Sequence, residues 1–578
     1  MAHKDQFYPQ WCENEAPAGS FRSLIKYGDP RRFKHPNPGM FHLIKQTFGM
    51  SDDDFKRPSL CTEEINIDIP PKLPAAQMEA LKNLVGADNV FTDTYNRTRT
   101  SYGSAIIDVL RLRNHILENL PDIVLCPRDR RDVQAVVRFC DENRIPLYVV
   151  GGNSSVTRGK EAVKGGVCLD MNTHMNKIIS INENNQTVTV EAGMMGPDLE
   201  RILNDAPVTL KAKRRYTVGH FPQSFEHSTV GGWVVTRGAG QNSTYYGKIE
   251  DMVISQEYVT PVGEFKTLDF PRAATGPDFD QIMIGSEGTF GVLVSCTLRL
   301  CRYMPESRRR FSYLFKTWEG ALAACREVMQ GEFGFPSVFR LSDPEETDVA
   351  MRMYHVHGTP VDSVLQALGY KPMQRCMFIG MSEGDGELAR LVSKKVHKIF
   401  KKYGVFSLSA AKVTQSWEKS RFTDPFMRED LMDYGVLIDT LECAVTWDNL
   451  AKVHADVRAF IKSRPKTICM THLSHAYPQG GNLYFIFVAK MKEINEYLDL
   501  QYGVLDAIQK AGATMSHHHG VGKQTAPWLE GQIGKAQVDV IRALRDHFDP
   551  HHIMNPGGTL GLDMSQEQMA KRWGFRKQ

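Results

Sequence analysis

The sequence predicts an α+β protein of at least two domains, the second an antiparallel sheet backed by helices. From Pro121 onward, short apolar runs alternate with amphipathic stretches of helical period. One run, IPLYVV at 145–150, passes straight into the glycine-rich turn Gly151-Gly152-Asn153-Ser154-Ser155. From about residue 306, strand candidates are separated by long helical stretches instead.

Residues 1–114 are rich in proline and charge and read as an N-terminal arm with a helix near 75–85, packed on the body or on a partner subunit. IVLC at 123–126 is a strand closed by Pro127, and Asp129 and Asp132 supply N-cap chemistry for the next helix. In that helix Val133, Val136, Val137 and Cys140 share one face. Strands follow at 145–150, 166–171, 177–181 and 187–192, then a helix carrying Leu199, Ile202 and Leu203. The first domain is placed at 115–305 and the second at 306–545. The second has strands at 310–315, 376–381 and 483–489, and helices near 318–330, 385–403, 447–463 and 491–511. The segment 546–578 is expected to return to the first domain.

Composition narrows the function. The chain has 578 residues, 42% of them hydrophobic and 24% charged, as in ordinary globular proteins. Lys plus Arg is 70 against 67 for Asp plus Glu, so the net charge of +3 lacks the basic excess of a dedicated nucleic-acid binder. Eleven scattered cysteines without a CxxC pair read as reduced thiols, not a disulfide framework or zinc ribbon. The start, MAHKDQFYPQW, has no apolar core of a secretory signal, and no run is long enough to span a membrane.

Paired glycines at 151–152 let backbone N–H groups approach an anion, and Ser154 and Ser155 add hydroxyls. The pattern matches neither GxGxxG nor GxxxxGK[ST], which disfavours a nicotinamide site and a P-loop. By itself it reads equally as a tight turn. Two further clusters accompany it, HFPQSFEHSTVGGWVVTRGAG at 220–240 and GSEGTFGV at 285–292. Three clusters so spaced fit a long diphosphate-bearing ligand in an extended pose.

These segments, with IEDMV at 249–253, resemble the FAD-binding domain of the vanillyl-alcohol oxidase (PCMH-type) flavoprotein superfamily. TVGHFPQSFEHSTVGGWVVTRGAG, ATGPDF at 274–279 and SHHHGVGK at 516–523 are similar to its alkylglycerone-phosphate synthase (alkyldihydroxyacetone-phosphate synthase) family. The likeness spans roughly 115–560 and is patchier in the cap. It implies a two-subdomain PCMH-type FAD domain at 115–305 and a cap domain at 306–545. FAD contacts are expected at Val149, Val150, Gly151, Gly152, Asn153, Ser154 and Ser155, and at Gln223, Ser224, Ser228, Thr229 and Gly232. Further contacts are expected at Thr236, Arg237, Gly238, Ala239 and Glu250, closing with Gly285, Ser286, Glu287, Gly288, Thr289, Gly291 and Val292. The turn offers neither His nor Cys for a covalent tether, so FAD is expected to be held non-covalently.

His517, His518 and His519 form the sharpest local signal on the reactive side. In a constrained turn two of them can converge on one cavity, where imidazoles move protons or donate to an oxyanion. A surface run and a metal site are the competing readings. Related metal-dependent 2-hydroxyacid dehydrogenases carry a His…His pair and a Glu-His here, whereas this chain has His475, Tyr484 and His518, so no metal is expected. Tyr484 resembles the family's active-site tyrosine. The family has Arg and Gln where this chain has His472 and His475; these two are taken as substrate-side positions, and the departure leaves room for a different substrate or an unexpected metal. Arg428 aligns with the family's substrate-phosphate arginine and Arg340 with another that it needs for activity. Surface ion pairs are the alternative for each.

The implied reaction replaces the acyl group of acyl-dihydroxyacetone phosphate with a long-chain alcohol, via a flavin N5 adduct, in ether lipid synthesis. A FAD-linked oxidase or dehydrogenase of a hydroxy acid or alcohol is the alternative, since one FAD domain serves both. The family implies a homodimer and lipid-like substrates, with no nucleic acid. The C-terminal GFRKQ is no SKL-type address, so a cytoplasmic enzyme with peripheral membrane contact is expected.

Overall fold

The computed structural model describes residues 9, 11–408, 410–491 and 493–571. The GFRKQ terminus and most of MAHKDQFYPQW lie outside the described residues.

The first domain holds two sheets. Strands Ile123–Leu125 and Leu147–Val150 run parallel on either side of Val167–Asp170, and Val90–Phe91 adds an antiparallel edge. The apolar runs are short because both faces are covered, as in any buried parallel sheet. Helix Arg130–Glu142 buries Val133, Val136, Val137 and Cys140 against it. The second sheet is antiparallel, in the order Ile178–Asn182, Thr187–Glu191, Val292–Arg299, Val253–Thr260, Gly263–Lys266. Its last three strands follow the second glycine cluster, where sequence reading saw ligand-binding turns and no strands.

The second domain is a seven-stranded antiparallel sheet. Its order is Phe406–Ser407, Arg309–Phe315, Cys376–Ser382, Val338–Ser342, Thr467–Tyr477, Gly480–Lys490, Val436–Thr446. Side chains alternate across a strand, so each strand presents one set to either face. Leu341, Leu441, Leu473 and Phe485 point to one side and pack with helices Trp318–Met329, Gly386–Lys402, Leu450–Ser463 and Ile494–Lys510. The other face looks toward the first domain.

The N-terminal segment is largely helical. Helix Ala75–Val85 is present as expected, joined by Phe21–Ile25, Pro38–Phe48, Thr94–Ser101 and Ile106–Arg113. Pro38–Phe48 packs its Met40, Phe41, Ile44 and Phe48 with Val349, Leu431 and Tyr434 of the cap. Arg22 pairs with Asp433 at 2.6 Å. Near the C-terminus, Met554 bridges to Leu147, and Asn555 donates from its backbone to the Leu147 carbonyl at 2.8 Å. That segment thus extends the first domain's parallel sheet.

Candidate active site

A cavity of about 520 Å³ lies between the glycine clusters and the open face of the seven-stranded sheet. That size suits a small-molecule or cofactor site. Glycine is required on one wall because two backbone segments touch there. A Cβ on Gly151 would lie 2.2 Å from the Thr229 hydroxyl oxygen, and one on Gly152 2.2 Å from the His227 carbonyl oxygen. Thr229 in turn accepts from Gly232 N at 3.3 Å and starts helix Val230–Val235. Asn153, beyond the glycines, adopts φ 64°.

All seven residues Val149–Ser155 line the cavity, as do Gln223, Ser224, Ser228, Thr229, Gly232, Thr236, Gly238, Ala239, Glu287, Gly288 and Gly291. Arg237, Glu250, Gly285, Ser286, Thr289 and Val292 are not on that wall. Arg237 faces Glu250 at 3.4 Å and Gln281 at 3.0 Å instead. Gly285 and Glu287 donate from their backbones to Val234 and Val235, buttressing the helix from behind. The Glu287 carboxylate accepts Val521 N and Gly522 N, both at 2.6 Å, and ties the glycine wall to the histidine loop. Burial raises it to about 7.

The residues fit a flavin dinucleotide. The glycines leave a cradle that side chains would fill, and the Asn153 Oδ1 and Gln241 Oε1 are buried without a partner. Buried polar atoms are rarely left so; a polar ligand would satisfy them.

The opposite wall is the sheet's open face. Ser342, His472, Tyr484 and Glu442 are consecutive cross-strand partners, so register places all four in one row. The Tyr484 ring lies between two imidazoles: centroids 4.9 Å from His472 and 5.9 Å from His518, each with planes 17° apart. Its hydroxyl donates to Thr440 Oγ1 at 3.1 Å, and burial raises its pKa. It is therefore a standing phenol donor at neutral pH.

Glu442 fixes the histidine loop. Its buried carboxylate accepts the backbone N–H of His517 at 2.6 Å and those of His518 and His519 at 3.0 Å, plus the Ser516 hydroxyl at 2.8 Å. His518 and His519 line the cavity, whereas His517 does not and sits behind His518. Glu442, His517 and His518 each offer an atom within 4.8 Å of the others, but the Glu442 oxygens already serve the loop. His475 also lines the cavity, at a strand irregularity where it adopts φ 46°. Burial lowers the pKa of His472 and His519 and holds His475, His517 and His518 well below 6.5. Near pH 7 these are neutral imidazoles, able to accept protons.

Both arginines reach the cavity. Arg428 donates Nη1 to the Ser104 carbonyl at 2.9 Å and stacks on Tyr27 at 4.5 Å, while its buried Nε and Nη2 have no partner. Arg340 is engaged: it donates to Glu346 at 2.5 Å, and Glu346 faces His472 Nδ1 at 3.1 Å. Burial opposes ionisation of Glu346, but His472 and Arg340 hold it down at about 2.

Sequence reading did not single out Glu442, Glu346, Tyr27 or His220. His220 lines the cavity fully buried, both ring nitrogens unpartnered. It lies in the 220–240 cluster, one of two histidines there with His227, among glycines and hydroxyls. The signal for Glu442 was a charge amid the apolar alternation VLIDTLECAVT.

Fold and site together define a two-domain flavoprotein. Residues 121–269 match the family described as FAD binding domain, and residues 304–559 match FAD linked oxidases, C-terminal domain. The chain therefore belongs to the FAD-linked oxidase family, the PCMH-type flavoproteins, and binds FAD. Within it the chain is similar to the alkyldihydroxyacetonephosphate synthase of Dictyostelium discoideum, 29% identical over 92% of each chain. A solved alkyldihydroxyacetonephosphate synthase superposes with TM-score 0.78 at 26% identity, covering 92% of this chain and 98% of that one. An Escherichia coli protein described as an uncharacterized FAD-linked oxidoreductase is 28% identical over 84% of this chain and 98% of its own.

Proposed function

We propose that the chain is an FAD-dependent alkyl transferase that exchanges the acyl group of acyl-dihydroxyacetone phosphate for a long-chain alcohol. The observation that carries this reading is Arg428: two buried, unpartnered guanidinium nitrogens, Nε and Nη2, on a cavity wall shared with Tyr484 and His518. A guanidinium fork matches a phosphate, and Tyr27 stacked on it sets its direction. Bound flavin supplies covalent and electron-sink chemistry at N5. His518 and His519, neutral and cavity-facing, are the bases, and Tyr484 donates to a substrate oxygen.

Val349, Met353, Tyr354, Met377 and Trp417 give the cavity an apolar arm suited to an alkyl chain. One layer outward, helix Pro360–Ala367 buries Leu365 beside Met377 and exposes Val361 and Val364, followed by exposed Leu368. With Lys371 beside it, this face suits peripheral contact with an anionic lipid surface. Among the described residues no helix is long and apolar enough to cross a membrane. Non-covalent FAD, a homodimer and a cytoplasmic setting complete the reading.

The test is incorporation of labelled hexadecanol into palmitoyl-dihydroxyacetone phosphate by the flavin-loaded protein. Incorporation without net bleaching of the flavin supports the transferase. Bleaching by a D-2-hydroxy acid or an alcohol, with no incorporation, supports the FAD-linked oxidoreductase that the Escherichia coli relative's description suggests.

A further inference from the structure

Arg428 stands in an acidic stretch of chain, with Asp424, Glu429, Asp430 and Asp433 all within five residues of it. Asp424 is four residues back, the spacing at which a carboxylate and a guanidinium pair along a helix. Yet Arg428 forms no ion pair among the described residues: Nη1 goes to a backbone carbonyl, and Nε and Nη2 have no partner.

The N-terminal segment holds each of those carboxylates instead. Lys34 pairs with Asp424. Lys26 Nζ lies 3.5 Å from Glu429, which also accepts the Tyr27 backbone N–H. Arg22 lies 2.6 Å and Arg113 2.7 Å from one oxygen of Asp433, and His35 Nδ1 hydrogen-bonds Asp430. The side chains of Arg22, Lys26, Glu429, Asp430 and Asp433 are buried. Removing one member of a buried pair leaves its partner seeking another ion. For Glu429 that ion is close by: burial pushes its carboxyl up, and Lys26, Arg428 and Arg22 act against the push.

Resting on the reading of Arg428 as the phosphate-binding group, we infer that the N-terminal segment is part of the phosphate site: Lys34 and Lys26 occupy the carboxylates that compete for Arg428 and so leave its fork open to substrate phosphate. With Asp424 and Glu429 matched by lysines, the Arg428 charge is uncompensated until a phosphate arrives. Tyr27, next to Lys26 in the chain, stacks on Arg428 at 4.5 Å, so one segment governs both the direction and the charge of the group. Tyr27, Lys34 and Asp424 line the cavity, so this happens at the site itself. The lysines are positioning residues that act through Asp424 and Glu429.

Lys34→Met, at a partly exposed pair, tests this with little risk to folding. In the flavin-loaded full chain the KM for acyl-dihydroxyacetone phosphate should rise about 10-fold with kcat unchanged, because Asp424 turns to Arg428. Adding Asp424→Asn should restore the wild-type KM. Lys26→Met, with and without Glu429→Gln, should repeat the pattern at the buried pair. An unchanged KM in Lys34→Met overturns the inference. So does a double variant as weak as the single, since Lys34 would then act directly and not through Asp424. Inorganic phosphate, titrated calorimetrically into the same flavin-loaded variants, reads the site without turnover and should weaken and recover in step. Phosphate affinity that ignores the Lys34 and Asp424 substitutions overturns the inference whatever the activity. Phosphate affinity that ignores Arg428→Lys removes the reading it rests on and overturns it as well. Phosphate affinity that follows the pairing in a protein lacking exchange activity supports the inference and places the failure in the transferase reading.

Discussion

The Glu442 carboxylate accepts the backbone N–H of His517 at 2.6 Å, and through that bond one strand of the cap sets the shape of the histidine loop. Glu442→Ala leaves three backbone donors and the Ser516 hydroxyl without their acceptor in a buried place. Unpaired buried donors of this kind cost about 2–4 kcal/mol together. Thermal unfolding should show a clear drop in midpoint, and exchange activity should fall further than stability alone explains. A variant as stable and active as wild type would remove Glu442 from the architecture of the site.

Arg428→Lys tests the phosphate end. Lysine keeps the charge and loses the fork, so affinity for phosphate-bearing substrate should fall about 10- to 100-fold, or about 1.4–2.8 kcal/mol. Flavin affinity, followed by fluorescence, should hold. Equal losses of both would show that Arg428 supports the wall and does not bind substrate.

Tyr484→Phe removes one hydroxyl and keeps the ring stacked between His472 and His518. The protein should remain yellow and fold normally while turnover drops about 100-fold. Full activity would make Tyr484 a packing residue.

The buried imidazoles link the site to pH. His475, His517 and His518 titrate well below 6.5 when folded and near 6.5 when unfolded. The unfolded chain therefore binds more protons between those values, and stability from these groups is full above about pH 6.5 and lost as pH falls. Glu287, raised to about 7, has the opposite sign: its contribution is full below the ordinary carboxylate value and lost as pH rises through 7. Urea unfolding should show stability falling from pH 7 to 5.5, more steeply in Glu287→Gln. A flat profile in that variant would mean the histidines are solvated.

The sequence makes some of this site readable and hides the rest for physical reasons. The parallel strands announce themselves as apolar runs because both their faces are covered, and Gly151–Gly152 because only glycine tolerates the approach of Thr229. The three histidines stand out by repetition. The row Ser342, His472, Tyr484, Glu442 does not, since cross-strand register depends on how distant segments pair. Tyr27 meets Arg428 across some 400 residues, and no local pattern encodes that stack. Glu346 looks like an ordinary acidic residue in a helix's first turn until the fold brings Arg340 and His472 to it.

The central claim is that the flavin lies between the Gly151–Thr229 wall and the sheet row, its reactive edge toward Tyr484 and His518. Electron density of the flavin-loaded protein tests it most directly. The account predicts an isoalloxazine in that gap with N5 facing the phenol and imidazoles. A ring with N5 turned to the glycine wall, or one bound elsewhere on the chain, would contradict it.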